Sequence, residues 1–130
     1  MAGIALLDTH ALLWALMEPH RLSGPARNVL EDDDAVVFVS SASAWELGIK
    51  WKLGKLEGAE RVLDGLDRHL ERLAAVPLPI TIEHALAAAA LPLHHRDPFD
   101  RMLIAQARSM QVPVMTNDAA FSAYAVGTLW

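Results

Sequence analysis

The chain has 130 residues, 53% of them apolar and none of them cysteine, and carries a net charge of -5. That length predicts one domain over residues 1–130, able to bury roughly two thirds of its unfolded surface, with a generous core or a covered subunit face. The composition excludes disulfide scaffolds and thiolate metal sites, argues against a nonspecific duplex-DNA binder, and holds no apolar run near the ~20 residues of a membrane span.

Ile4 to Leu7 reads as a buried strand, and His10 to Met17 as a helix capped by Thr9. The apolar N-terminus has no basic leader region and is interrupted by Asp8, so no secretory signal is expected; with no cysteine, a cytoplasmic protein is. Leu22 to Leu30 is a second helix, with Ser23 before Pro25 as its start signal. Glu31-Asp32-Asp33-Asp34 reads as a solvated loop leading to Val36 to Val39, a strand covered on both faces. Ser43 to Leu53 is helical and stops at Gly54. Glu60 to Leu73 follows as one continuous helix, with Val62, Leu63, Leu66, Leu70 and Leu73 on a single stripe. Ala75 to Leu78 is a short strand, and Thr81 caps a helix through Leu91. Pro98 to Met110 is the most strongly patterned helix, Val112 to Met115 a strand, and Thr128 to Trp130 a terminal edge strand. Strands alternating with helices predict an α/β fold with a parallel sheet covered on both faces.

Acidic residues recur where these strands give way to helices. Asp8 ends the first strand, Glu46 follows the second, Asp97 and Asp100 open the patterned helix, and Asp118 follows Thr116-Asn117. In an open α/β sheet, ligands bind beyond the carboxyl ends of the strands. Carboxylates gathered there repel one another unless a cation neutralises them, which predicts a divalent-metal site.

Each acid also has a structural alternative. Glu46 fits a capping box with Ser43, and Asp97 before Pro98 is a good N-cap and N1 pair. Asp118 suits the cap of a helix beginning at Ala119. Asp100 differs, because Leu103, Ile104 and Ala107 follow it at helical spacing and place it on the edge of the buried face. A carboxylate there needs a partner or a metal. The metal role therefore falls to Asp100 and the capping role to Asp97. His94 and His95 stand near the same junction as metal-ligand candidates, but neighbouring histidines point different ways and no carboxylate–His spacing accompanies them, so they read as surface loop residues or substrate contacts. Lys50, Lys52 and Lys55 form either a recognition edge or a solvated helix end.

Leu7 to Trp14, Ser43 to Leu47, Arg96 to Ala107 and Thr116-Asn117-Asp118 resemble, in order and spacing, the signature blocks of PIN-domain ribonucleases. More narrowly, they are similar to the VapC-type toxins of type II toxin–antitoxin modules. The resemblance implies a three-layer α/β/α sandwich with a central, mostly parallel sheet. It makes Asp8, Glu46, Asp100 and Asp118 the acidic site, supported by the hydroxyls of Thr9 and Thr116. It also implies Mg²⁺ or Mn²⁺, an RNA substrate, a homodimer, and a heteromer with a small antitoxin protein.

The chemistry agrees. An all-oxygen, acidic ligand set suits hard Mg²⁺ or Mn²⁺ over Zn²⁺, and such an ion polarises a phosphodiester oxygen and activates water. On this reading Asp8 and Asp100 hold the metal, Glu46 and Asp118 orient the attacking water, and Asp97 stands behind. An acidic crevice invites an Arg or Lys of the antitoxin, with Trp14, Trp45 and Trp51 as apolar anchors or as ordinary core. A phosphoaspartate hydrolase would need a second Asp two residues after Asp8, where His10 stands. A receiver-like binding module would need a Lys after a late strand, and none follows Lys55.

Overall fold

The computed structural model describes residues 3–130. Its sheet is built from Ile4–Leu7 (β1), Val36–Ser40 (β2), Ala75–Leu78 (β3), Val114–Met115 (β4) and Thr128–Leu129 (β5). The strands run in the order β3-β2-β1-β4-β5, every pair parallel. Helices α1 (Thr9–Met17), α2 (Gly24–Glu31), α3 (Ser41–Lys52), α4 (Ala59–Leu63) and α5 (Leu66–Arg72) precede β3, and α6 (Ile82–Ala90) and α7 (Pro98–Met110) follow it.

Side chains of a strand alternate between its faces, and β1 divides the core accordingly. Ala5 and Leu7 pack with Leu12, Ala26, Val37, Val39, Leu47 and Leu70 on the face covered by α1 to α5. Leu6 packs with Leu103, Ile104, Val114 and Phe121 on the face covered by α6 and α7. The result is the expected three-layer α/β/α sandwich. The chain builds outward from β1 to one edge, then returns to the other side of β1 with β4. The strand order reverses there, so the crevice between the carboxyl ends of β1 and β4 is where a ligand site is expected.

The structure corrects several local expectations. The cap of α1 is Asp8, whose carboxylate accepts from the Ala11 amide; Thr9 is already in the helix. Helix α3 begins at Ser41 under Ser40, so Ser43 and Glu46 form no capping box. It ends as expected at Gly54, where the amides of Gly54 and Lys55 return to the carbonyls of Trp51 and Lys50. The single helix expected over Glu60 to Leu73 is two, broken at Gly65 with φ +71.

A side chain at Gly65 would be strained by this backbone, and its Cβ would stand 2.6 Å from the Arg68 guanidinium. Gly65→Ala is expected to cost about 1–2 kcal/mol, lowering Tm by roughly 3–8 °C in a thermal scan. An unchanged Tm would mean that the break is imposed by something other than glycine.

Candidate active site

Asp8 stands at the carboxyl end of the central strand, 5% exposed, with its amide donating to the Met115 carbonyl of β4. Burial raises its pKa above the usual carboxylate value, and the Asp118 charge adds to the rise. The Thr116 hydroxyl, the Ala11 amide and His10 oppose it. Thr116 itself is buried after β4 and accepts the Asp118 amide at 3.0 Å, closing a tight turn.

Glu46 lies inside α3 and is almost fully buried. One carboxylate oxygen accepts the Thr9 hydroxyl at 2.6 Å, and the other accepts the Lys50 ammonium at 2.5 Å. The Thr9 oxygen also lies 3.1 Å from the Ser43 hydroxyl. The cost of burying this acid is offset by these charge-assisted and hydroxyl bonds. Thr9 therefore ties α1 to α3.

Asp97 is the N-cap of α7, one oxygen accepting the amides of Phe99 and Asp100 at 2.8 and 3.1 Å. Asp100, one turn in, accepts a hydrogen bond from His95 Nε2 at 2.7 Å. Its pKa is pushed up to about 6, first by burial and then by the charges of Asp97 and Glu46, against the pull of His95. Ligating atoms of His95, Asp100 and Asp118 all fall within 4.8 Å of one another. Asp118 is exposed and also caps the 3₁₀ turn Ala119–Ala123 through the Ala120 amide.

His95 thus belongs to the acidic mouth, not to a free surface loop. No carboxylate–His helical spacing announces it, because it reaches Asp100 from a loop. That loop is held from two sides. The Tyr124 hydroxyl accepts the His95 amide at 2.7 Å and donates to the Pro92 carbonyl at 2.8 Å. Arg101, only 9% exposed, donates to the carbonyls of Pro92, His95, Ala88, Ala89 and Leu91. Its buried charge is met by the carbonyl end of α6, where a helix dipole favours a cation. The sequence showed Arg101 only as part of a motif.

The cluster thus has Asp118 beside Asp8 on one flank and Glu46 beside Asp100 on the other. The carboxylates of Asp100 and Asp118 and the His95 imidazole, in reach of one point, are a donor set that a divalent cation fits, and burial raises the pKa of Asp100 within the set and of Asp8 next to it. A groove of about 640 Å³ between α6 and α7, lined by His84, Leu91 and Arg108, holds none of these acids.

The PIN domain family model matches residues 5–127 of this chain, from β1 through β4. The chain belongs to the PIN domain family. Among relatives of this PIN domain is Ribonuclease VapC22 of Mycobacterium tuberculosis, 33% identical over 114 residues that cover 87% of this chain and 85% of that protein. The fold matches VapBC2 from Rickettsia felis, solved bound to a DNA fragment from its promoter, with TM-score 0.70, 18% identity and 96% of each chain covered. A toxin–antitoxin complex from Klebsiella pneumoniae matches with TM-score 0.62 and 18% identity, over 95% of this chain and 94% of that one.

Proposed function

We propose that this PIN domain is a metal-dependent ribonuclease and the toxin of a toxin–antitoxin pair. The observation that carries the reading is the convergence of His95, Asp100 and Asp118 on one point, with Asp8 at the neighbouring strand end feeling the Asp118 charge, in a chain related to a ribonuclease. His95, Asp100 and Asp118 would hold the ion, and Asp8 would add its charge from the neighbouring strand end. The imidazole in this set favours Mn²⁺ over Mg²⁺. When bound, the ion would polarise the scissile phosphodiester and lower the pKa of water.

The surrounding residues position this chemistry. Asp97 fixes the first turn of α7 and so the height of Asp100. Thr116 sets the turn that presents Asp118 and faces Asp8. Glu46 has both oxygens engaged by Thr9 and Lys50, so it shapes the Asp100 side of the mouth through its charge instead of orienting the attacking water as expected. The VapBC2 and Klebsiella pneumoniae neighbours support a small antitoxin as partner. Trp51 and Leu53, 48% and 61% exposed at the end of α3, offer it apolar anchorage, and an Arg or Lys would satisfy the acids. Ile82 and Leu86, 82% and 67% exposed on α6, support a homodimer contact. Among the described residues no helix is long and apolar enough to cross a membrane.

The test is cleavage of single-stranded RNA by the purified chain with Mn²⁺, lost in EDTA and restored by Mn²⁺. No cleavage of any RNA under these conditions would overturn the reading. Mn²⁺ should also raise Tm, and the sign of its pH dependence is fixed. Asp100 has a folded pKa of about 6 against an unfolded 3.8, so the stability cost of its charge is absent below the unfolded value, builds as pH rises from there to about 6, and is fully present above. A cation removes that cost, so the gain in Tm should be larger near pH 7.5 than near pH 5. A pH-independent gain would place the ion elsewhere.

A further inference from the structure

We propose that Trp45 and Phe99 form a stacking platform for an unpaired base of the RNA strand, beside the phosphodiester that is cut. The proposal rests on the ribonuclease reading and adds the form of the substrate. Trp45 is 63% exposed, an indole left in water between the buried Ser43 and Glu46 of α3. It meets Phe99 edge to face, ring centroids 5.2 Å apart at 81°. That contact fixes the angle of the indole while leaving most of it open to solvent.

The pair spans the seam between α3 and α7. Each ring precedes an acid of the mouth in sequence, Trp45 before Glu46 and Phe99 before Asp100. Those two acids feel one another's charge across the same seam. Cations continue from the aromatic pair along α3. Lys50 is partly exposed on the Glu46 side of the mouth, and Lys52 and Lys55 are exposed beyond it. Aromatic rings for bases and ammonium groups for the backbone are how proteins hold single-stranded RNA. An A-form duplex keeps its bases stacked on one another and offers no free base face to the indole.

A second copy of the chain fits this face poorly. A two-fold contact puts the same surface on both subunits, and here it would press two acidic mouths together. The apolar residues of α6 offer a subunit contact without that repulsion.

The experiment measures binding of a labelled single-stranded RNA of roughly 12 nucleotides in mixed sequence to the non-cleaving Asp100→Asn protein, by fluorescence anisotropy. Stacking on one aromatic ring predicts that Trp45→Ala weakens binding by about tenfold or more, and that Trp45→Phe keeps most of it. An abasic strand of the same length should bind Trp45→Ala and its parent alike, since the base is what the indole holds. In the cleaving protein, Trp45→Ala should raise KM and leave kcat nearly unchanged. Equal affinity of Trp45→Ala and parent for the base-bearing strand overturns the platform while the ribonuclease reading stands. So does an equal loss on the abasic strand. A shift of Trp45→Ala from dimer to monomer with RNA affinity unchanged assigns the face to a second copy and likewise overturns it. Absence of RNA cleavage and of RNA binding in the wild-type chain overturns both.

Discussion

Asp100→Asn is expected to cut RNA slower by on the order of a hundredfold or more, the scale on which one preorganised charge acts in a reaction site. The side chain keeps its volume, and its amide oxygen still accepts from His95, so the fold should not suffer. Without metal the variant should melt no lower than wild type, because the displaced charge is one that burial disfavours. It should also lose most of the Mn²⁺ response. Asp97→Asn separates the two acids of this turn. Its oxygen still caps the Phe99 and Asp100 amides, so cleavage should fall only a fewfold, whereas Asp97→Ala should cost about 1 kcal/mol of stability. A freely active Asp100→Asn protein, assayed with the same metal, would show that the mouth lies elsewhere.

Arg101→Met should produce the largest loss of stability of any single change near the site. The guanidinium reaches carbonyls at 2.8 Å on Pro92 and Leu91 and at 3.0 Å on Ala88, adding a charged donor to the Tyr124 hydroxyl at Pro92 and to the Leu91 amide at Ala88. Removing it takes several charge-assisted bonds from these carbonyls at once, each worth about 1–3 kcal/mol, so a loss of about 3 kcal/mol or more is expected in urea denaturation. Arg101→Lys keeps the charge but not the fork and should recover part of this loss. Because the same guanidinium holds the His95 carbonyl, the methionine variant should also bind Mn²⁺ more weakly under conditions where it remains folded. A destabilisation under about 1 kcal/mol would mean that water replaces the arginine at these carbonyls.

The layered fold was legible because its strands are short apolar runs and its helices carry clear stripes. Val36 to Val39 and Pro98 to Met110 needed no tertiary information. The breaks were harder. The stripe through Val62, Leu66, Leu70 and Leu73 runs unbroken past Gly65, since a helical period does not reveal a backbone that takes a positive φ. At the mouth, the acids could be found one by one from their places after strands. Their mutual arrangement could not. Glu46 had a sufficient local explanation in Ser43, and only the packing of α1 on α3 shows that Thr9 and Lys50 occupy its oxygens instead. His95 and Arg101 were hidden for the same reason. Both act across loop and helix contacts that leave no periodic trace, and a histidine beside another histidine carries no direction.

The tryptophans divide the molecule into two optical reporters. Trp14 touches Trp130 at 5.7 Å and 59°, with the Arg21 guanidinium 5.2 Å from its ring, so these indoles couple only while β5 is docked beside α1. Their circular-dichroism signal should therefore vanish with unfolding and ignore events at the mouth. Trp45 and Trp51 lie in water on α3 and should dominate the long-wavelength emission, where an external quencher reaches them first. Exciting a single sample thus allows the integrity of the sheet edge and the occupancy of the cleft to be followed separately, with no label attached.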